Sequence, residues 1–308
     1  MAQQATRERF AAALETLVAT LRTDRTILAA ILCGSLSHDV VWEKSDIDLA
    51  LVTADDKHDK TRALSIDADG VNVHAWVLTR TDFRKLVEGT TQHSFMHSIL
   101  CKGRLLYTND ETIRDLVARL HEIGAHDTAM QMLRAAMHAL ASLDKARKWF
   151  VTRGDLNYTA LWLLYAATPL AQIEVLSHRQ LVDREVILQA LGLNPSFFRL
   201  IYTDLLNEPK SRESVEGALV AAEAYVAERA TTIFAPILEH LEDAGDIRAS
   251  REIDDHFLRH FNIDHVTTAC EYLADRELVG KASAPARLTR RSQIEVPEQA
   301  FYHLSRRG

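Results

Sequence analysis

Phe10, Leu14, Leu17, Val18 and Leu21 recur at helical spacing through MAQQATRERFAAALETLVATL, so the chain opens on an amphipathic helix. The segment lacks the basic start and unbroken apolar run of a signal peptide. The period then changes. TILAAILCGS is a β-branched, apolar run ending at Gly34-Ser35. DIDLALVT alternates, with Ile47, Leu49 and Leu51 on one face and Asp46, Asp48 and Ala50 on the other. RALSIDADGVNVHAWVLT predicts a hairpin about Asp69-Gly70, a dipeptide that tolerates the positive φ of a tight turn. In its second arm Val71, Val73, Ala75 and Val77 form the apolar face, and Asn72, His74 and Trp76 the other. Helical spacing returns from Thr81, and CKGRLLYTND predicts a turn and a short edge strand that close a first domain at 1–109.

From 110 to 248 the pattern is helical, over 112–122, 126–151, 156–178, a shorter run after Asp183, one started at Asn194-Pro195, and a long one from Ser214 to about Leu241. Residues 249–308 change character again. REIDDHFLRHFN and DHVTTACEYLADRELVG predict two short helices, and KASAPARLTRRSQIEVPEQAFYHL has β-like pieces flanking basic residues, which suggests a winged-helix-like third domain. The expected fold class is α+β: a small mixed sheet with flanking helices, then an all-helical bundle, then the winged-helix-like segment.

Composition narrows the function classes. The 308 residues are 47% apolar and 26% charged, which excludes disorder and collagen and gives no expectation of a membrane partner. A formal charge of −7 offers nucleic acid no global attraction, so any such contact needs a local patch. Lys281, Arg287, Arg290, Arg291, Arg306 and Arg307 supply one, against Glu295 and Glu298 from residue 279 onward. On a wing they would touch phosphates, although winged helices also serve as docking or structural modules. Three distant cysteines, Cys33, Cys101 and Cys270, form neither a disulfide framework nor a zinc pattern, so a cytoplasmic location is expected. His93, His97, His121 and His126 show no metal-binding pattern and read as surface or core residues.

The chemistry concentrates in Gly34-Ser35, ten intervening residues, and Asp46-Ile47-Asp48. Aspartates at i and i+2 on one strand face lie roughly 6–7 Å apart at the backbone. Ionised and unpaired, they repel by about 3 kcal/mol at an effective dielectric near 20. Divalent cations between the carboxylates remove that cost, and hard oxygen ligands suit Mg²⁺ or Mn²⁺. Gly34 and Ser35 would place a backbone free of Cβ and a hydroxyl against a triphosphate, beside the N–H groups of a following helix. An Asp-x-Asp pair on an exposed strand also arises by chance. The order strand, Gly-Ser, helix, strand, with Ser45 just before the pair and a hairpin after it, separates this one from that background.

CGSLSHDVVWEKSDIDLALV resembles the signature of the DNA polymerase β-like nucleotidyltransferase superfamily, in particular small bacterial members related to aminoglycoside (kanamycin) nucleotidyltransferases. The similarity covers about residues 25–110. It implies that Gly34 and Ser35, with Ser45 nearby, hold the triphosphate, that Asp46 and Asp48 bind Mg²⁺ (or Mn²⁺), and that a nucleoside monophosphate passes from a triphosphate, ATP by expectation, to an acceptor with release of pyrophosphate. The acceptor implied is a small molecule. Family members commonly carry a third carboxylate on the second hairpin arm, where this chain has Gly70-Val71-Asn72-Val73-His74. His74 then acts as a general base, biases the site to Mn²⁺, leaves a site that binds nucleotide without efficient transfer, or simply packs beside Trp76. Asp67 and Asp69 are nearby acids, with Asp69 suited to the turn itself. A base from the bundle is a further option, with Asp144, Lys145, Lys148, Asn157, Tyr158 and Glu174 as nominees. The alternative reading is a degenerate nucleotide-binding regulator acting through the winged-helix-like module.

Overall fold

The computed structural model describes residues 2–33, 45–55, 62–87, 100, 103–120, 125–182, 185–289 and 291–304. The chain divides into two compact units, Met1–Asp127 and Thr128–Gly308.

The N-terminal unit runs α1 (Ala2–Leu21), β1 (Ile27–Cys33), β2 (Ile47–Thr53), β3 (Arg62–Ala68), β4 (Val71–Thr79), α2 (Arg80–Val87), β5 (Arg104–Thr108) and α3 (Glu111–Arg119). Its five strands lie in the order β3-β4-β2-β1-β5, so the short strand expected at the edge is there. The sheet is mixed because β2 and β4 pair in parallel while β1–β2, β1–β5 and β3–β4 are antiparallel. Phe10, Ala13 and Leu14 of α1 share one buried cluster with Leu32, Ile47, Leu49, Leu51, Val71, Val73 and Ala75. Those strand positions are the alternating apolar set predicted from the sequence. Because a strand repeats every two residues, burying that set turns Asp48 and His74 to the opposite face. The β3–β4 turn forms at Asp69 (φ 51°) and Gly70 (φ 74°), and the Gly70 N–H donates to Asp67 Oδ1 at 2.8 Å. Asp67 and Asp69 therefore serve the turn.

The C-terminal unit is built on α4 (Ala125–Arg153) and α5 (Leu156–Ser177), followed by α6 (Val186–Leu193), α7 (Pro195–Phe198), a π-helical turn (Arg199–Thr203), α8 (Asp204–Asn207), α9 (Arg212–Glu228), α10 (Ala230–Ile233) and α11 (Ala235–Ala244). Helix α5 is long and apolar enough to cross a membrane, yet 67% of that apolar window is buried inside the model's fold, as in a bundle's core helix. It continues through Pro169. The single long helix expected from Ser214 to Leu241 is instead three pieces. Helix α9 ends at the Arg229 cap, and Pro236 sits in the first turn of α11, where its missing N–H is harmless. Next come β6 (Arg248–Ala249), α12 (Ser250–Phe261), α13 (Val266–Ala274), β7 (Val279–Ala286) and β8 (Val296–His303), with strand order β6-β8-β7. One buried cluster runs from Met130 through Phe234, Phe257 and Cys270 to Phe301, so bundle and C-terminal segment share a core.

Phe10 is 1% exposed and anchors α1 to the sheet. Phe10→Ala should destabilise the N-terminal unit by about 3–5 kcal/mol, read as a lowered denaturant midpoint. An unchanged midpoint would mean that α1 does not hold the sheet.

Candidate active site

Strands β2 and β4 build the site. In their parallel register Ile47 lies beside Val73 and Asp48 beside His74, which sets Asp46, one residue before the strand, near the level of Asn72. Asn72 Nδ2 donates to Asp46 Oδ1 at 3.0 Å and lies 3.2 Å from His74 Nε2. His74 Nδ1 is 3.9 Å from Asp46 Oδ2, and the two side chains are 45% and 39% exposed, so a solute can reach both. Asp48 and Ser45 are half-buried beside them. Asp46, Asp48 and His74 are thus brought together on one accessible sheet face. Gly34 and Ser35 lie outside the described residues, as does the helix expected after them.

Asn72 was missed in the sequence. Only its placement on the polar face of the second hairpin arm hinted at it, and its contact with Asp46 depends on the β2–β4 register. Among the described residues, no group of three His, Cys, Asp or Glu side chains is placed to hold a metal ion. In the C-terminal unit His240 stacks on His256 with centroids 4.1 Å apart, and His256 lies 4.7 Å from His260. Burial first, and the neighbouring imidazole second, push the His240 and His256 rings toward the neutral form.

The bundle nominees separate by environment. Glu174 is 5% exposed and accepts from the Tyr225 hydroxyl at 2.7 Å and from Asn194 Nδ2 at 3.4 Å, which makes it a structural anchor of the bundle. Asp144, Lys145, Lys148, Asn157 and Tyr158 are exposed.

Cys33 pairs with Asp48 across β1 and β2 and is fully buried. Burial, reinforced by the Asp48 carboxylate, pushes its thiol up from 9.0 to about 12. The folded protein therefore keeps the Cys33 proton where an unfolded chain has lost it. That contribution to stability is whole below pH 9.0 and is lost as the pH climbs through about 12. Above pH 9, Cys33→Ala should flatten the fall of unfolding free energy by about 1 kcal/mol per pH unit, measured by denaturant titration. Parallel curves for variant and parent would contradict this placement of the thiol.

Comparison with known proteins follows the same lines. Residues 15–112 match the family described as Polymerase beta, Nucleotidyltransferase. No curated protein matches the chain. Among solved structures, it is similar to a nucleotidyltransferase-like protein from Exiguobacterium sibiricum 255-15, with a TM-score of 0.67 and 15% identity, over 95% of this chain and 99% of that one. At that identity the likeness speaks for the fold. Together with the family match, it makes residues 15–112 a nucleotidyltransferase-like domain of the polymerase β superfamily.

Proposed function

We propose that the N-terminal unit transfers a nucleoside monophosphate from a nucleoside triphosphate, ATP by expectation, to a small-molecule acceptor. An acceptor oxygen attacks the α-phosphorus, the bond to the β-phosphate oxygen breaks, pyrophosphate leaves, and the acceptor's proton goes to solvent or a base. The observation that carries this reading is the accessible pair Asp46 and Asp48, held on one sheet face beside the end of β1, where Gly34 and Ser35 follow in sequence.

The donor set fits a divalent ion of the Mg²⁺ type. Two hard carboxylates with no third acid match an ion that completes its shell with substrate phosphates and water. Asp46 and Asp48 would hold it, and when bound it supplies charge neutralisation for the triphosphate. The chain's own part is positioning: the carboxylates are fixed by the register of β2 on β4, and Ser45 sits at the entry to the strand.

The order α11-β6-α12-α13-β7-β8, with strands β6-β8-β7, supports the winged-helix reading of the C-terminal segment. Its charges favour docking or structure over phosphate contact. Helix α13 has no basic residue, Lys281 lies 3.8 Å from Glu271, and Arg287 lies 3.4 Å from Glu295. Arg290, Arg306 and Arg307 lie outside the described residues. A reducing, cytoplasmic setting agrees with the free, buried Cys33 and Cys270.

Asp48→Asn removes a charge at nearly constant volume. It should abolish metal-supported binding of a non-hydrolysable triphosphate in titration calorimetry while leaving the circular dichroism spectrum unchanged. Unaltered affinity would remove Asp48 from the site.

A further inference from the structure

We propose that Asn72 is a positioning residue that keeps the His74 ring out of the metal shell and turns it into a neutral prop for Asp46. The inference rests on the transferase reading and decides what His74 does within it.

The argument is one of hydrogen-bond capacity. A carboxamide nitrogen carries two protons and accepts none. Asn72 Nδ2 has two partners in reach, Asp46 Oδ1 at 3.0 Å and His74 Nε2 at 3.2 Å. The reversed amide would set its oxygen against the Asp46 carboxylate, so Asp46 itself fixes which way Asn72 points. One proton goes to the carboxylate and the other to the ring. His74 Nε2 is then the acceptor, and the ring's own proton stands on Nδ1. Nδ1 faces Asp46 Oδ2 at 3.9 Å, beyond hydrogen-bond length but close enough for the N–H dipole to favour the anion.

Both ring nitrogens are thus committed. The Nε2 lone pair is taken by Asn72, and Nδ1 carries a proton, so the imidazole has nothing to offer a cation. Metal binding falls to the oxygens of Asp46 and Asp48 and to the substrate. His74 occupies the position of a third acid without adding a third negative charge. It orients Asp46, and through Nε2 it is no base. An all-oxygen shell keeps the preference for Mg²⁺ or Mn²⁺, whereas a freed imidazole would draw the site toward Co²⁺ or Zn²⁺.

Two measurements on the full chain test this. The first needs no metal. In long-range ¹H–¹⁵N spectra at about pH 8.5, where a free imidazole is neutral, His74 should show the proton on Nδ1, with the signal assigned by its loss in His74→Gln. In Asn72→Ala the tautomer should shift toward the proton on Nε2, the form usual for an unconstrained ring. A wild-type His74 with its proton on Nε2 would overturn the proposal. The second compares calorimetric affinities for a non-hydrolysable triphosphate with Mg²⁺ and with Co²⁺. Asn72→Ala should favour Co²⁺ over Mg²⁺ by about tenfold more than the parent does, as removal of an outer partner of a ligand typically does. Asn72→Ala combined with His74→Ala should restore the parent ratio. A selectivity that Asn72→Ala leaves unmoved, in a parent that does bind metal and triphosphate, would refute the shielding of His74. A parent that binds triphosphate with no dependence on divalent ions would instead overturn the transferase reading, and the tautomer would still decide the role of Asn72.

Discussion

Burial of a single face of the five-stranded sheet governs the rest of the N-terminal unit. Phe10, Ala13 and Leu14 cover Ile47, Leu49 and Leu51 of β2 and Val71, Val73 and Ala75 of β4. With those side chains committed, strand geometry leaves Asp48, Asn72 and His74 no choice but the opposite face, and Asp46 joins them at the strand entry. A slip of one residue in either strand would drive carboxylates into the core and expose leucines and valines. The acids are therefore positioned by the hydrophobic effect acting on their neighbours.

Concentrating negative charge on that face has an electrostatic cost, and the residues around it show how it is met. Asn72 donates to Asp46, and His74 turns a ring edge toward it. On the β1 side, Asp48 faces a buried thiol that stays protonated across the physiological range. Two carboxylates with neutral neighbours form a weaker cation trap than three would. Such a site fits an ion that arrives with its substrate's own phosphates. The departure at residue 74 thus changes the charge of the site while the architecture is kept.

Much of this was legible in the sequence, for identifiable reasons. The period-two runs at 47–51 and 71–77 and the Asp69-Gly70 turn encode strand, face and hairpin locally, and the nucleotidyltransferase resemblance lay in contiguous residues. The partnership of Asn72 with Asp46 was not legible, because it joins residues 26 positions apart through a parallel pairing that no local pattern specifies. Prolines divided the helical reading. Pro169 lies inside α5 without ending it, while Pro236 opens a new helix within a run whose spacing alone reads as continuous. Glu174, nominated as a surface base, is an interior acid because its helix is apolar on nearly every side. The C-terminal cations formed a patch in sequence, yet Lys281 and Arg287 have acidic partners that only the folded hairpin and helix bring near.

The central claim is that a divalent ion and a triphosphate meet at the sheet face carrying Asp46 and Asp48. Mn²⁺ added with a non-hydrolysable triphosphate reports its own position by paramagnetic broadening of nearby amide signals. The account predicts broadening centred on residues 46–48 and 72–74, dependent on the nucleotide. Broadening centred elsewhere, or none at nucleotide saturation, would contradict it.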